Sequence, residues 1–203
     1  KQHASRASAW TSAGPNFVSG PEGTSGSTQS NVYCIDQSKS NSNVLYCGTE
    51  PGEVYKSIDG GTSWNCVSLG EYFGSGGSQI WGIGVSAVSI HPTNPDIVFV
   101  GGDGGIFRSI DGGLNWLKVL NQTSFGVNEL LVHPTNGQLV FAATEKGLYR
   151  SIDGGDNWTQ LYAQKSYDIK CNTANANEMY LVKNNPSLII CEFYRSTDFG
   201  ATW

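Results

Sequence analysis

At 203 residues the chain has room for about one domain with a real core, and 26 glycines with only 14% charged residues suit short strands and many turns. A net charge of −5, from 12 Lys and Arg against 17 Asp and Glu, gives no basic patch and excludes nucleic acid as an expected partner. No apolar run approaches the roughly 18 residues of a membrane helix, so no membrane insertion of that kind is expected.

Taken in chain order, residues 1–29 form an N-terminal segment. Its start, "KQHASRASAW", lacks the apolar centre of a signal peptide. From residue 30 the chain reads as β-rich runs separated by Gly, Asn and Pro clusters, with no helical periodicity. The first unit, 30–69, holds "NVYCID", "NVLYCGT", "EVYKSI" and "SWNCVSL". A long link, "LGEYFGSGGSQIWGIG", leads to a second unit at 85–120: "VSAVSIHP", "DIVFVGG", "GIFRSI" and "NWLKVL". The third, 126–161, repeats it as "VNELLVHP", "QLVFAAT", "GLYRSI" and "NWTQLY". The fourth, 166–203, stops at its Trp203, before any fourth run.

One pattern, Ser-x-Asp-x-Gly-x-x-Trp, lies between the third and fourth runs of each unit. It comprises Ser57, Asp59, Gly61 and Trp64; then Ser109, Asp111, Gly113 and Trp116. It recurs as Ser151, Asp153, Gly155 and Trp158, and as Ser196, Asp198, Gly200 and Trp203. The serines are 52, 42 and 45 residues apart, a period that marks the four-stranded blade of a β-propeller. A catalytic group is normally needed once, a structural device once per unit. The Asp is therefore expected to accept bonds from turn amides, and the Gly to take positive φ. The Trp is expected to be largely buried, anchoring the last strand.

These segments resemble Asp-box (BNR) repeats, and "HPTNPDIVFVGGDGGIFRSIDGGLNW" is similar to the sortilin and family 74 glycoside hydrolase type in particular. The resemblance covers about residues 30–203 and implies an all-β propeller of four-stranded antiparallel blades. Four blades rarely close a ring, so the propeller is expected to be incomplete and to continue beyond this chain. Residues 8–20 are read as a strand able to complete the closing blade. The texture, including "WTSAGP", also resembles large secreted proteins of gliding, type 9 secreting bacteria, which implies an extracellular or cell-surface location.

The resemblance further implies that ligands meet the face opposite the boxes. The loops expected there are "TEPGE", "GDGG", "TEKG" and "KNNPS", with the link at 70–84 beside them. They gather Glu50, Glu53, Asp103 and Glu145 around Tyr72, Phe73 and Trp81. Carboxylates with aromatic rings are what a sugar site uses, but Glu and Asp beside Gly at a hairpin are more often plain solvated turn residues, and Trp81 is equally readable as core. Asp103, in "GGDGGIFR", resembles the segment where family 74 enzymes place a catalytic Asp; the second carboxylate such a reaction needs has no assigned residue. The main expectation is a non-catalytic scaffold or recognition module, binding protein or polysaccharide without cofactor. The alternative is a family 74 hydrolase acting on β-glucans.

Sialidase chemistry needs three converging arginines. Arg108, Arg150 and Arg195 each directly precede a box Ser, so the repeat spreads them apart as blade-surface residues. The five cysteines, Cys34, Cys47, Cys66, Cys171 and Cys191, show no Cys-x-x-Cys spacing; they are expected as buried small apolar groups, with a Cys34–Cys47 disulfide the one open pairing, and no metal site.

Overall fold

The computed structural model describes residues 31–50, 52–68, 84–120, 126–185, 187 and 190–203. They hold fifteen strands and no helix. The first sheet is β1 (Val32–Gln37), β2 (Leu45–Thr49), β3 (Val54–Ser57) and β4 (Asn65–Cys66). The second is β5 (Val85–Ile90), β6 (Val98–Gly102), β7 (Gly105–Ser109) and β8 (Leu117–Leu120). The third is β9 (Val127–Val132), β10 (Val140–Thr144), β11 (Gly147–Ser151) and β12 (Thr159–Tyr162). The fourth has three strands among the described residues: β13 (Ser166–Cys171), β14 (Met179–Asn185) and β15 (Ile190–Ser196). Each sheet is an antiparallel meander in chain order. This is an incomplete β-propeller: successive sheets stack face to face, and their first strands β1, β5, β9 and β13 meet one another in turn.

The Ser-x-Asp turn that follows strand three is the same object four times. Ser151 Oγ donates to Asp153 Oδ1 at 2.7 Å and accepts the Gly155 amide at 2.8 Å. Asp153 then accepts the Asn157 amide and side chain at 2.9 and 2.7 Å. Asp59, Asp111 and Asp198 accept the matching pairs from Ser63, Asn115 and Thr202. The serines Ser57, Ser109, Ser151 and Ser196 are buried, while the carboxylates sit at the surface. These bonds favour the charged form, so Asp59, Asp153 and Asp198 are held at about 2 and Asp111 is also lowered. Each carboxylate is consumed in closing its own turn.

The turn glycines also mate the sheets. A Cβ on Gly155 would lie 2.7 Å from the Phe99 ring of the sheet before, and one on Gly200 2.7 Å from Phe141. Gly155 and Gly200 carry φ of 93° and 73°, which side chains rarely adopt. A glycine there supplies both the turn and the contact.

Two expectations about side chains need correction. Trp64, Trp116, Trp158 and Trp203 are half-buried, not largely buried. Trp116, Trp158 and Trp203 pack on the apolar clusters between sheets, while the Trp64 indole donates to the Gly61 carbonyl of its own turn. Arg108 and Arg150 are not blade-surface groups. Arg108 donates to the Gly154 carbonyl of the next sheet at 2.5 Å, Arg150 to Gly200 at 3.3 Å, and Lys56 to Gly112 at 3.4 Å. The residue before each turn Ser in the first three sheets thus clasps the next blade.

The cysteines are all free. Cys34 pairs with Gly48 and Cys47 with Ile35, so their side chains point to opposite faces of the first sheet and cannot join. Burial pushes both thiols up to about 12. Cys47 is buried, Cys34, Cys66 and Cys171 are half-buried, and Cys191 is exposed, so burial is uneven among them.

Candidate functional site

The strand-two to strand-three hairpins stand at the strand ends remote from the Ser-x-Asp turns. In the third sheet Thr144 Oγ donates to the Gly147 carbonyl at 2.7 Å and accepts the Lys146 amide. Gly147, at φ 134°, passes so close to strand four that a Cβ would lie 1.8 Å from the Tyr162 carbonyl. Such tight hairpins hold their first residue in a fixed place. The Glu145 amide donates to the Gly126 carbonyl, the Glu50 amide to Asn31, and the Asn184 amide to Lys165. Glu50, Glu145 and Asn184 are therefore equivalent, and Asp103 follows Gly102 at the same hairpin position of the second sheet.

Asp103 and Glu145 come together. A methyl placed on Gly126 would lie 2.9 Å from Glu145 Cγ and 3.9 Å from Asp103 Oδ1, so both side chains flank this glycine. Glu145 is bound on its other side by Lys165, with Nζ to Oε1 at 2.7 Å. Lys165 Nζ also lies 4.8 Å above the Tyr167 ring. The lysine's own pKa is raised, chiefly by its hydrogen bond to Glu145. The rim between the second and fourth sheets thus reads carboxylate, glycine, carboxylate, ammonium, phenol, and carries both signs of charge.

Glu50 accepts from the Asn31 side chain at 2.5 Å, and Glu53 accepts from Tyr55 at 2.8 Å. Both lie at the first hairpin. Ser68 Oγ accepts the Val54 amide just before the link, and Gly84 just after it abuts the Thr49 and Glu50 carbonyls. Tyr72, Phe73 and Trp81, together with residues 8–20, lie outside the described residues.

Lys165 and Tyr167 were not legible as site residues, because they open a strand whose hairpin neighbours gave no acidic signal in the fourth repeat. The inner-strand carboxylates Asp36 and Glu129 were missed as well. Asp36 Oδ2 accepts the Ile90 amide of the next sheet at 2.8 Å, and Glu129 pairs with Lys170 at 2.7 Å. Burial raises the pKa of both. They tie first strands together at the inner edge. No group of three or more His, Cys, Asp or Glu side chains among the described residues is placed to hold a metal ion. No helix among them is long and apolar enough to cross a membrane.

No family model matches the chain, and no curated protein is similar to it in sequence. Solved structures share its fold. An ancestral GH74 enzyme is 23% identical with a TM-score of 0.66, over 83% of this chain and 23% of its own. The extracellular domain of a one component system from B. thetaiotaomicron is 16% identical with a TM-score of 0.55, over 74% of this chain and 20% of its own. YCF48 bound to D1 peptide is 12% identical with a TM-score of 0.54, over 81% of this chain and 53% of its own. The chain thus spans about a quarter of that GH74 enzyme's length and about half of YCF48's.

Proposed function

We propose that the chain is part of a non-catalytic extracellular propeller of the Asp-box kind, a scaffold or recognition module that meets a protein segment or a polysaccharide at the rim opposite its Ser-x-Asp turns. The observation that carries this reading is the Glu145–Lys165 pair beside Asp103. Glycoside hydrolysis needs two carboxyl groups about 5 to 9.5 Å apart, one of them protonated to serve as the acid. The carboxylate brought beside Asp103 has one oxygen taken up by the Lys165 ammonium at 2.7 Å, so that oxygen is engaged within the rim and not turned toward a glycosidic bond. A rim of mixed charge with a phenol suits a ligand held by hydrogen bonds and ring contact.

The fold neighbours support both partner classes by analogy alone, since one fold serves many functions. One is a glycoside hydrolase and another is bound to a peptide. The reading places the protein outside the cell, in the setting of a larger surface or type 9 secretion protein, with residues 30–203 as blades. The test is incubation of the chain with soluble β-glucans and a random peptide library. Retention of one ligand class without release of new reducing ends is expected. Reducing-end release that Asp103→Asn abolishes would establish the hydrolase instead.

A further inference from the structure

In the first three sheets one face is covered by the next blade, and the covered positions are equivalent. Tyr46, Phe99 and Phe141, each one residue past the strand-two partner of the turn Ser, are fully buried. Val54, Ile106 and Leu148, three residues before that Ser, are fully buried too. Over each such face the cation preceding the Ser reaches the carbonyl of a turn glycine on the following sheet.

The fourth sheet repeats all of these positions without a covering blade among the described residues. Met179 pairs with Ser196, which makes Tyr180 the equivalent of Phe141. Tyr180 is half-buried and stacks on Phe193, with ring centroids 5.5 Å apart. Phe193, at the place of Leu148, is 68% exposed where Leu148 is 0% exposed. Arg195, at the place of Arg150, is 58% exposed and turns back onto Glu178 of its own sheet. Tyr180, Val182 and Phe193 line a shallow groove with Asp168 and Lys170 at its edge. A clasp with ring, apolar bed and guanidinium is thus laid out in register, and its arginine is held by the half-buried Glu178 carboxylate.

We propose that this face is the seat of a further blade of the same repeat, carried on the same polypeptide, with Arg195 gripping the carbonyl of that blade's turn glycine. The partner chemistry follows from the three internal interfaces. Only a turn that puts a glycine against Tyr180 and its carbonyl beside Arg195 reproduces what Phe99 with Arg108 and Phe141 with Arg150 already hold.

Two measurements test it. In the chain as given, Arg150→Ala should lower the urea midpoint more than Arg195→Ala, which removes only the bond to Glu178; equal losses would mean the fourth clasp is already engaged and would overturn the proposal. In a chain extended after Trp203 by a second copy of residues 159–203, amide exchange across 190–196 should slow by roughly tenfold or more beyond the slowing that residues 159–162 alone give by pairing beside β15, as the face is covered. Arg195→Ala in the extended chain should reverse that slowing. An extension built from residues 117–158 guards against a misfolded graft. Exchange slowed no further than by that strand pairing in both extensions overturns the proposal. So does a dimer of the unextended chain that Tyr180→Asp dissolves, because a second copy would then be the occupant.

Discussion

Arg108 donates from one terminal nitrogen to the Gly154 carbonyl at 2.5 Å and lies 2.8 Å from Asp156, both in the blade that follows its own. Its side chain is only 15% exposed, whereas that of Asp156 is 61% exposed. The part-buried carbonyl contact and the exposed ion pair should therefore separate on mutation. Arg108→Ala is expected to cost about 1.5 to 3 kcal/mol, the range for a hydrogen bond to a charged group. Asp156→Ala should cost less than about 1 kcal/mol, as exposed pairs do. Urea melts of the two variants check this, and equal losses would mean the ion pair carries the contact.

The pairing of Phe141 with Gly200 gives a second expectation. Phe141 is fully buried beneath the fourth sheet's turn. Phe141→Ala should cost about 3 to 5 kcal/mol, the usual loss for a buried large aromatic. Gly200→Ala should also destabilise, because its φ is 73° and the new methyl would meet the ring at 2.7 Å. Adding Phe141→Leu should recover part of the Gly200→Ala loss, since it removes the clash and leaves the backbone strain. A double-mutant cycle with no coupling would show that the turn and the ring do not touch.

The turn carboxylates set an acid limit. Asp59, Asp153 and Asp198 have folded pKa values of about 2, below the ordinary 3.8. A depressed carboxylate stabilises the fold fully above its unfolded pKa, and that contribution fades as pH falls through the folded value. Stability should thus be flat near neutrality and drop between about pH 4 and 2. Asp153→Asn should be less stable at pH 7 and lose less than the parent on going to pH 2.5. Thermal melts at the two pH values check the sign; a steeper acid loss in the variant would contradict it.

Why so much of the fold was readable follows from the repeat. Ser57, Ser109, Ser151 and Ser196 each close one turn with a bond set that needs those residue types, so the motif locates every third and fourth strand. What one unit does to the next is not encoded within a unit. Arg108 reads as a surface cation until the following blade brings Gly154 to it. Trp116 reads as core, yet half of its ring stays open while its indole donates to Val67 of the preceding sheet at 2.9 Å. At the rim the hairpin acids were legible because they precede glycines. Lys165 was not, because its role arises only where the third and fourth sheets meet.

The rim's charge balance supports the last prediction. Asp103 and Glu145 both approach Gly126, and Lys165 offsets one of them at 2.7 Å. Lys165→Met keeps most of the aliphatic stem and removes the ammonium, leaving two like charges on one edge. A short cationic peptide should then bind several-fold tighter to the variant than to the parent at low salt, because a local field raises the concentration of opposite charge. The gain should fade toward roughly 0.5 M salt, where the screening length falls to a few ångströms. Adding Asp103→Asn should cancel most of it, while adding Asp111→Asn on the remote turn should not. Fluorescence titration with a labelled peptide at two salt concentrations reads all four chains. A gain that Asp111→Asn removes as fully as Asp103→Asn would mean that overall charge, and not this rim, governs the attraction.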